Sequence, residues 1–205
     1  MIISPQEIKA ILAFTSNNKK TAEFLQTVYV DRKNSKLIAT DSYSLLVIKS
    51  KDEEDLKSVD ENALSYYINK ATFKFCGANE TPLHIDLNTG KVSDLNTGFT
   101  INSINIKGHD TYGDYPVDLE RILSRSDIMT TNCIYSLSGF EKIRKLISIY
   151  SPNSELFLTL KSRNTDFISF EIESNRALIS FAIAAQKANG PTLIFANENE
   201  EGSEL

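Results

Sequence analysis

Hydrophobic positions along the chain first follow a helical period, then a strand-like one. The segment SPQEIKAILAF opens with Ser4, which can cap a helix, and carries Glu7 three residues later. Ile8, Ile11 and Leu12 follow at helical spacing. Two strand-like stretches come next, TAEFLQTVYVD and KLIATDSYSLLVIKS, separated by the turn-prone RKNS. The pattern predicts a helix followed by antiparallel strands.

The same order of elements returns in a second copy. A strand-like run, ALSYYI, precedes the short helical segment NKATFKF, which Asn69 can cap, and TPLHIDL is a further strand. The pentapeptide DLNTG occurs at Asp86–Gly90 and again at Asp94–Gly98. Each repeat predicts a turn that ends in glycine, with Lys91–Ser93 in a short strand between the two turns.

A third copy begins near Met129. The segment NCIYSLSGFEKIRKLISIYS predicts a strand before a helix, with Phe140, Ile143, Leu146 and Ile147 on one helix face. ELFLTLKS, DFISFEIES and RALISFAIAA are three predicted strands. The helices begin near residues 5, 69 and 137, about 65 residues apart. This repetition predicts an α+β fold with helices on one face of antiparallel sheets.

Composition limits the function classes. The chain has 205 residues, 41% of them hydrophobic, so a sizeable core can form, and its net charge of −5 argues against nucleic-acid binding by bulk attraction. Cys76 and Cys133 stand in unrelated contexts, so we expect no disulfide and a reducing compartment. A signal peptide and a run of about 18 apolar residues are both missing from the sequence. We therefore expect a cytoplasmic protein with no membrane partner.

Residues typical of catalysis do not form a recognisable constellation. His84 and His109 are the histidines of the chain, and neither has the spacing of a metal ligand. The sequence has no glycine-rich phosphate loop and no nucleophile elbow. We therefore predict a protein that is not an enzyme and that needs no metal or cofactor.

Four segments together resemble the bacterial sliding clamp, the β subunit that gives DNA polymerase III its processivity. They are VYVDRKNSKLIATDSYSLLVIK, YYINKATFKF, GDYPVDLERIL and NCIYSLSGFEKIRKLISIYSPNSELFLTL. The third, Gly113–Leu123, is similar to the clamp's linker between domains. The resemblance implies a complete clamp-like domain of two units at residues 1–123 and one further unit at 124–190. Residues 191–205 are expected to hold a last strand and an acidic tail.

The resemblance also implies a ring around duplex DNA. A clamp ring has twelve such units, so a chain with three would need four copies to close one. Helices line the hole and touch phosphates without reading bases. The residues that would face DNA are Lys9, Lys19, Lys20, Lys70, Lys74, Lys142, Arg144 and Lys145. The alternative is that these are ordinary solvated helix faces, with pairs such as Glu141–Lys145 adding a few tenths of a kcal/mol.

In the clamp family, the segment that matches TDSYSL borders a pocket for short peptides of polymerases and the clamp loader. The residues that would bind such a peptide here are Thr40, Ser42, Tyr43, Ser44, Leu45, Ile183 and Ala185. The family often has Gly-His-Arg where this chain has Ser42, Tyr43 and Ser44, and Pro where it has Ser124. The alternative is that TDSYSL is a bulged strand or a tight polar turn.

Three functions follow from these observations. The first is a DNA sliding-clamp-like processivity factor that forms a ring and docks partner peptides. The second is a clamp-fold adaptor that binds a partner peptide, or interferes with replication, without encircling DNA. The third is a small-molecule-binding or enzymatic α+β protein, which no motif in the sequence supports.

Overall fold

The computed structural model describes residues 1–18, 20, 22–53, 55, 65–77, 81–101, 107–108, 137–150, 159–163, 167–173 and 177–184. Several sequence predictions lie outside these ranges. They are the ones on Lys19, His109, the linker Gly113–Leu123, Cys133, Ala185 and the tail 191–205.

In the described residues, runs of strands separate the helices, as the sequence pattern predicts. The α-helices are α1 (Pro5–Phe14), α2 (Lys70–Gly77) and α3 (Leu137–Tyr150). The strands are β1 (Ile2–Ile3), β2 (Thr27–Asp31), β3 (Lys36–Thr40), β4 (Ser44–Ser50), β5 (Tyr66–Asn69), β6 (Leu83–Ile85), β7 (Val92–Asp94), β8 (Thr100–Ile101), β9 (Lys107–Gly108), β10 (Thr159–Arg163), β11 (Phe167–Glu173) and β12 (Ala177–Ala184).

The first two helices begin at the residues that the capping pattern predicts. Ser4 Oγ accepts a hydrogen bond from the Glu7 amide at 3.3 Å, and the Ser4 amide donates to the Glu7 carboxylate at 2.6 Å. Asn69 Oδ1 accepts from the amide of Ala71 at 2.9 Å. Both side chains satisfy amides that a helix leaves unpaired in its first turn.

Two sequence predictions in the first copy are wrong. TAEFLQ is not part of a strand, because Glu23–Gln26 form a short 3-10 helix. The Thr27 hydroxyl donates to the carbonyl oxygen of Phe24 at 2.7 Å and closes that turn before β2 begins. KLIATDSYSLLVIKS is not a single interrupted strand, because β3 and β4 form an antiparallel hairpin in which Thr40 pairs with Leu45.

The described strands form two antiparallel sheets. One has four strands in the order β1-β6-β7-β8, and the other has eight in the order β10-β11-β12-β4-β3-β2-β5-β9. β12 pairs with β4 along its whole length, from Ala177 opposite Ser50 to Ile183 opposite Ser44. The strands of the third copy therefore extend the sheet of the first.

The three helices lie in one row. α1 packs beside both α2 and α3 and covers β3 and β4, while α3 packs on β12. Phe14 of α1 meets Phe181 of β12 edge to face at 6.5 Å between ring centroids, and Phe181 stacks on Phe170 of β11 at 5.4 Å. The predicted α+β fold is confirmed.

The other face of the eight-stranded sheet is also apolar. Tyr29 and Tyr67 contact each other at 4.9 Å between ring centroids and form a second cluster with Ile38, Leu45, Val47 and Ala182. Successive residues of a strand point to opposite faces, so neighbours in sequence enter different clusters. Leu46 accordingly lies in the main core under the helices, and Leu45 does not.

The predicted inner face of α3 needs one correction. Ile143 and Leu146 are buried and Ile147 packs against the core, but Phe140 is 44% exposed. Gly139 takes the inward position instead and lies against Ile183. Within the described residues, no helix is both long enough and apolar enough to cross a membrane.

Candidate partner-binding turn and basic helical face

The turn between β3 and β4 is organised by one carboxylate. Asp41 Oδ1 accepts hydrogen bonds from the Tyr43 amide at 3.1 Å, the Ser44 amide at 2.9 Å and the Ser44 hydroxyl at 2.8 Å. An aspartate that bonds amides two and three residues ahead is a common way to hold a tight turn. The turn at residues 41–43 is thus set by its own sequence.

Thr40 completes the turn from the other side. Its hydroxyl donates to the Ser44 carbonyl oxygen at 2.8 Å and accepts from the Ser42 amide at 3.1 Å. Thr40 and Ser44 are buried, and their hydroxyls are already bonded within the turn. Ser42 has a φ of 81°, in the left-handed region that glycine adopts most readily.

Tyr43 is the exposed apex of this turn. Its side chain is 63% exposed, and its carbonyl oxygen accepts from the Ala184 amide at 2.8 Å. The end of β12 therefore lies directly beside the turn, so the structure brings the TDSYSL segment and the last strand together.

Two predicted pocket residues lie on opposite faces of the sheet. Leu45 is opposite Ala182 in the strand register and belongs to the tyrosine cluster, whereas Ile183 is opposite Ser44 and packs under α3. The buried neighbour of Leu45 is Ala182, which the sequence did not single out. The alternation in RALISFAIAA separates Ala182 from Ile183, but only the strand register shows which of them accompanies Leu45.

Lys142 of α3 reaches across to the turn. Its ammonium group donates to Asp41 Oδ2 and, at 2.8 Å, to Ser44 Oγ, and it lies over the Phe14 ring at 5.5 Å from the centroid. Burial raises the pKa of Asp41, but hydrogen bonds from Lys142 and Ser44 outweigh burial, so the pKa lies below its ordinary value of 3.8. Lys142 was predicted to face DNA, and the structure shows it joining α3 to the turn.

Lys70 makes a similar contact just beyond the C-terminal end of α1. Its ammonium group donates to the carbonyl oxygen of Ser16 and to Asn17 Oδ1, the latter at 3.3 Å. Burial and the nearby charge of Lys74 lower the pKa of Lys70. A cation beyond the C-terminal end of α1 interacts favourably with the helix dipole.

The other described cations of the predicted DNA-facing set are exposed. They are Lys9, Lys20, Lys74, Arg144 and Lys145. Between α1 and α3 lies an open cleft of about 370 Å³, lined by Ala13, Ser138, Glu141, Lys142, Arg144, Lys145 and Ser148. Lys142 is already paired with Asp41, so the cleft sets two further cations, Arg144 and Lys145, against one carboxylate, Glu141, and this excess of positive charge favours anions. No group of three or more His, Cys, Asp or Glu side chains is arranged to hold a metal within the described part of the chain.

Neither protein-family models nor curated proteins match the sequence. Solved structures do match, and sliding clamps are among them. The DNA polymerase III β subunit of Thermotoga maritima superposes with a TM-score of 0.55 at 10% identity, over 93% of this chain and 65% of that one. The sliding clamp of Bacillus subtilis gives the same score at 11% identity, over 93% and 65%.

Two further matches are complexes. The Helicobacter pylori β clamp bound to a DNA ligase peptide superposes with a TM-score of 0.52 at 13% identity, over 94% of this chain and 67% of that one. The A. fulgidus PCNA, bound to the C-terminal region of FEN-1, superposes with a TM-score of 0.50 at 8% identity, over 92% and 98%.

This chain spans about 65% of the length of the bacterial clamps that it matches. The superpositions show a shared fold, and with identities of only 8–14% they show the fold alone. The chain has the fold of the DNA sliding clamps.

Proposed function

We propose that this protein is a DNA sliding-clamp-like processivity factor that acts in the cytoplasm. Its row of helices faces the backbone of duplex DNA, its chains assemble into a closed ring, and the turn at Tyr43 docks peptides of polymerases, the clamp loader or repair proteins. The observation that carries the proposal is the row α2-α1-α3, backed by one continuous sheet that joins the first and third copies.

The charges of the helix row support the DNA contact. Lys9, Lys74, Arg144 and Lys145 are exposed on helices that pack side by side, although the net charge of the chain is −5. A few cations spread over one surface bind phosphates weakly and without sequence preference, which suits a protein that slides. An acidic remainder disfavours DNA binding elsewhere on the molecule.

The exposed aromatic ring at Tyr43 supports peptide docking. Tyrosine combines a large apolar area with a hydroxyl, and it is among the residues that most often dominate binding energy at interfaces. The solved clamp complexes carry a DNA ligase peptide and the C-terminal region of FEN-1. For the present chain we infer the same class of partner, bound at the turn and the adjoining end of β12.

Reversal of charge in the cleft tests the DNA contact. Arg144→Glu combined with Lys145→Glu should weaken binding to a short duplex and flatten the dependence of log K on log salt concentration, because fewer counterions are released. The matched control is Lys33→Glu with Lys49→Glu, which changes the net charge equally at two exposed lysines of the β2–β3 turn and β4. An equal loss of DNA affinity in both double variants would mean that net charge, and not a contact in the cleft, determines binding.

Molar mass in solution tests the assembly. A ring-forming protein should give one closed oligomer near four chains by light scattering, unchanged over a range of concentrations. A protein of one or two chains that still binds the peptide would instead act as a non-encircling adaptor.

A further inference from the structure

The ammonium group of Lys142 lies between two candidate sites, the cleft and the Tyr43 turn. Lys142 lines the cleft between α1 and α3, and it also bonds Asp41 and Ser44 in the turn that presents Tyr43. A lysine side chain has three donors on a flexible stem, so it can exchange one acceptor for another. The cleft and the turn are thus connected through a single side chain.

The contacts of the turn indicate what the loss of Lys142 does. Asp41 Oδ2 receives the ammonium, while Asp41 Oδ1 holds the amides of Tyr43 and Ser44. Without the cation, a carboxylate that is only 20% exposed keeps its turn amides but loses its ionic partner. The Asp41 carboxylate is then better solvated in the open turn than in the closed one. The open turn therefore becomes more populated, and the amides of the turn lose protection from hydrogen exchange.

Anions in the cleft compete for the same group. Arg144 and Lys145 attract a phosphodiester backbone to the cleft, while Glu141 is the carboxylate there. A phosphate held by these two cations attracts the ammonium of Lys142 as well. The phosphate in the cleft and the Asp41 carboxylate in the turn then compete for the same ammonium group.

We propose that Lys142 couples the cleft to the Tyr43 turn, because a phosphodiester bound between α1 and α3 and the Asp41 carboxylate compete for its ammonium group. This inference rests on the proposed function and adds a form of regulation to it. DNA that binds at the helix row loosens the turn. Because coupling between two sites is reciprocal, an ordered turn weakens DNA binding by the same factor. Lys142 is a positioning residue for the turn.

Amide hydrogen exchange of Ser44 and Ala184 reports on the turn directly, since these amides bond Asp41 and the Tyr43 carbonyl. Without added anion, Lys142→Met should speed the exchange of these two amides about fivefold. This factor corresponds to the largest stabilisation that a partly exposed ion pair usually provides. The matched control, Lys33→Met, removes an exposed cation from the β2–β3 turn, outside the cleft, and should leave exchange unchanged. Saturating duplex DNA should raise exchange in the unmodified protein and add nothing in Lys142→Met.

A short polyphosphate serves as a second probe and separates this inference from the proposed function. If duplex DNA binds and neither anion changes exchange of Ser44, the coupling is wrong and the DNA contact stands. If polyphosphate speeds exchange but no duplex binds, the coupling stands and the DNA contact is wrong. If the amides exchange at the same rate in Lys142→Met as in the unmodified protein without added anion, the coupling is wrong, whatever the two anions do.

Discussion

Gly139 of α3 lies directly against Ile183 of β12. A Cβ atom added at Gly139 would lie 2.4 Å from Cγ2 of Ile183, far inside van der Waals contact. The helix of the third copy can therefore approach its strand this closely only because residue 139 has no side chain. The same strand ends at the Tyr43 turn, through the hydrogen bond from the Ala184 amide.

Gly139→Ala should destabilise the protein, because either the helix or the Ile183 side chain must move. We expect a loss of about 1–3 kcal/mol in the free energy of unfolding, as for other overpacked sites, offset slightly by the better helix propensity of alanine. Urea unfolding measures it. Leu137→Ala, at a residue 78% exposed in the same helix, is the control and should change little.

A double-mutant cycle checks the cause. Ile183→Ala alone should cost about 2–5 kcal/mol, and the pair of changes should cost less than the sum, because the methyl group at 139 then occupies the vacated space. Additive losses would show that Gly139 matters for a reason other than contact with Ile183.

Ser42→Gly should stabilise the protein. The φ of 81° at Ser42 lies where a side chain is strained, and glycine removes that strain at the cost of a more flexible unfolded chain. We expect a net gain of about 1 kcal/mol, measured by urea unfolding. Ser148→Gly, inside α3, should give a loss of about 0.5 kcal/mol, and a gain there would mean that the effect is unrelated to φ.

Tyr43→Ala should weaken peptide docking strongly without unfolding the protein. Loss of an exposed aromatic anchor costs about 2 kcal/mol or more of binding free energy, roughly a thirtyfold loss of affinity, while the melting temperature should hardly move. Fluorescence anisotropy with a labelled clamp-binding peptide measures affinity. Phe99→Ala removes another exposed ring and should bind normally; unchanged affinity in Tyr43→Ala would remove the docking site from the turn.

Acid should remove the stabilisation that Asp41 provides. The pKa of Asp41 is lowered in the folded protein, so its contribution is complete above about 3.8 and is lost as pH falls through the lowered value. The difference in unfolding free energy between the unmodified protein and Asp41→Asn should therefore shrink between pH 6 and about pH 2.5. A difference that stays constant with pH would show that the ionised carboxylate is not what stabilises the turn.

Local sequence chemistry predicted the helix starts well, because Ser4 with Glu7 and Asn69 satisfy amides of their own helices. The repeated DLNTG turns were predicted for the same reason, and Gly90 and Gly98 indeed have φ of 70° and 67°. These features depend on a few adjacent residues.

Long-range relationships were not predictable in this way. Lys142 and Asp41 are separated by 101 residues, so helical spacing could mark Lys142 as solvent-facing but could not reveal its partner. The burial of Leu45 and its pairing with Ala182 depend on how β4 and β12 align. A Leu45→Ala change therefore probes the core, at about 2–5 kcal/mol, and is unsuited to testing the docking site.

Retention on DNA of different topology tests the central claim most directly. A ring that encircles the duplex should remain on a nicked circular DNA at moderate salt and should slide off when one restriction cut makes that DNA linear. Gel filtration of the complex before and after the cut measures the retained protein. Equal retention on circular and linear DNA would contradict encirclement and leave a clamp-fold protein that binds only at its surface.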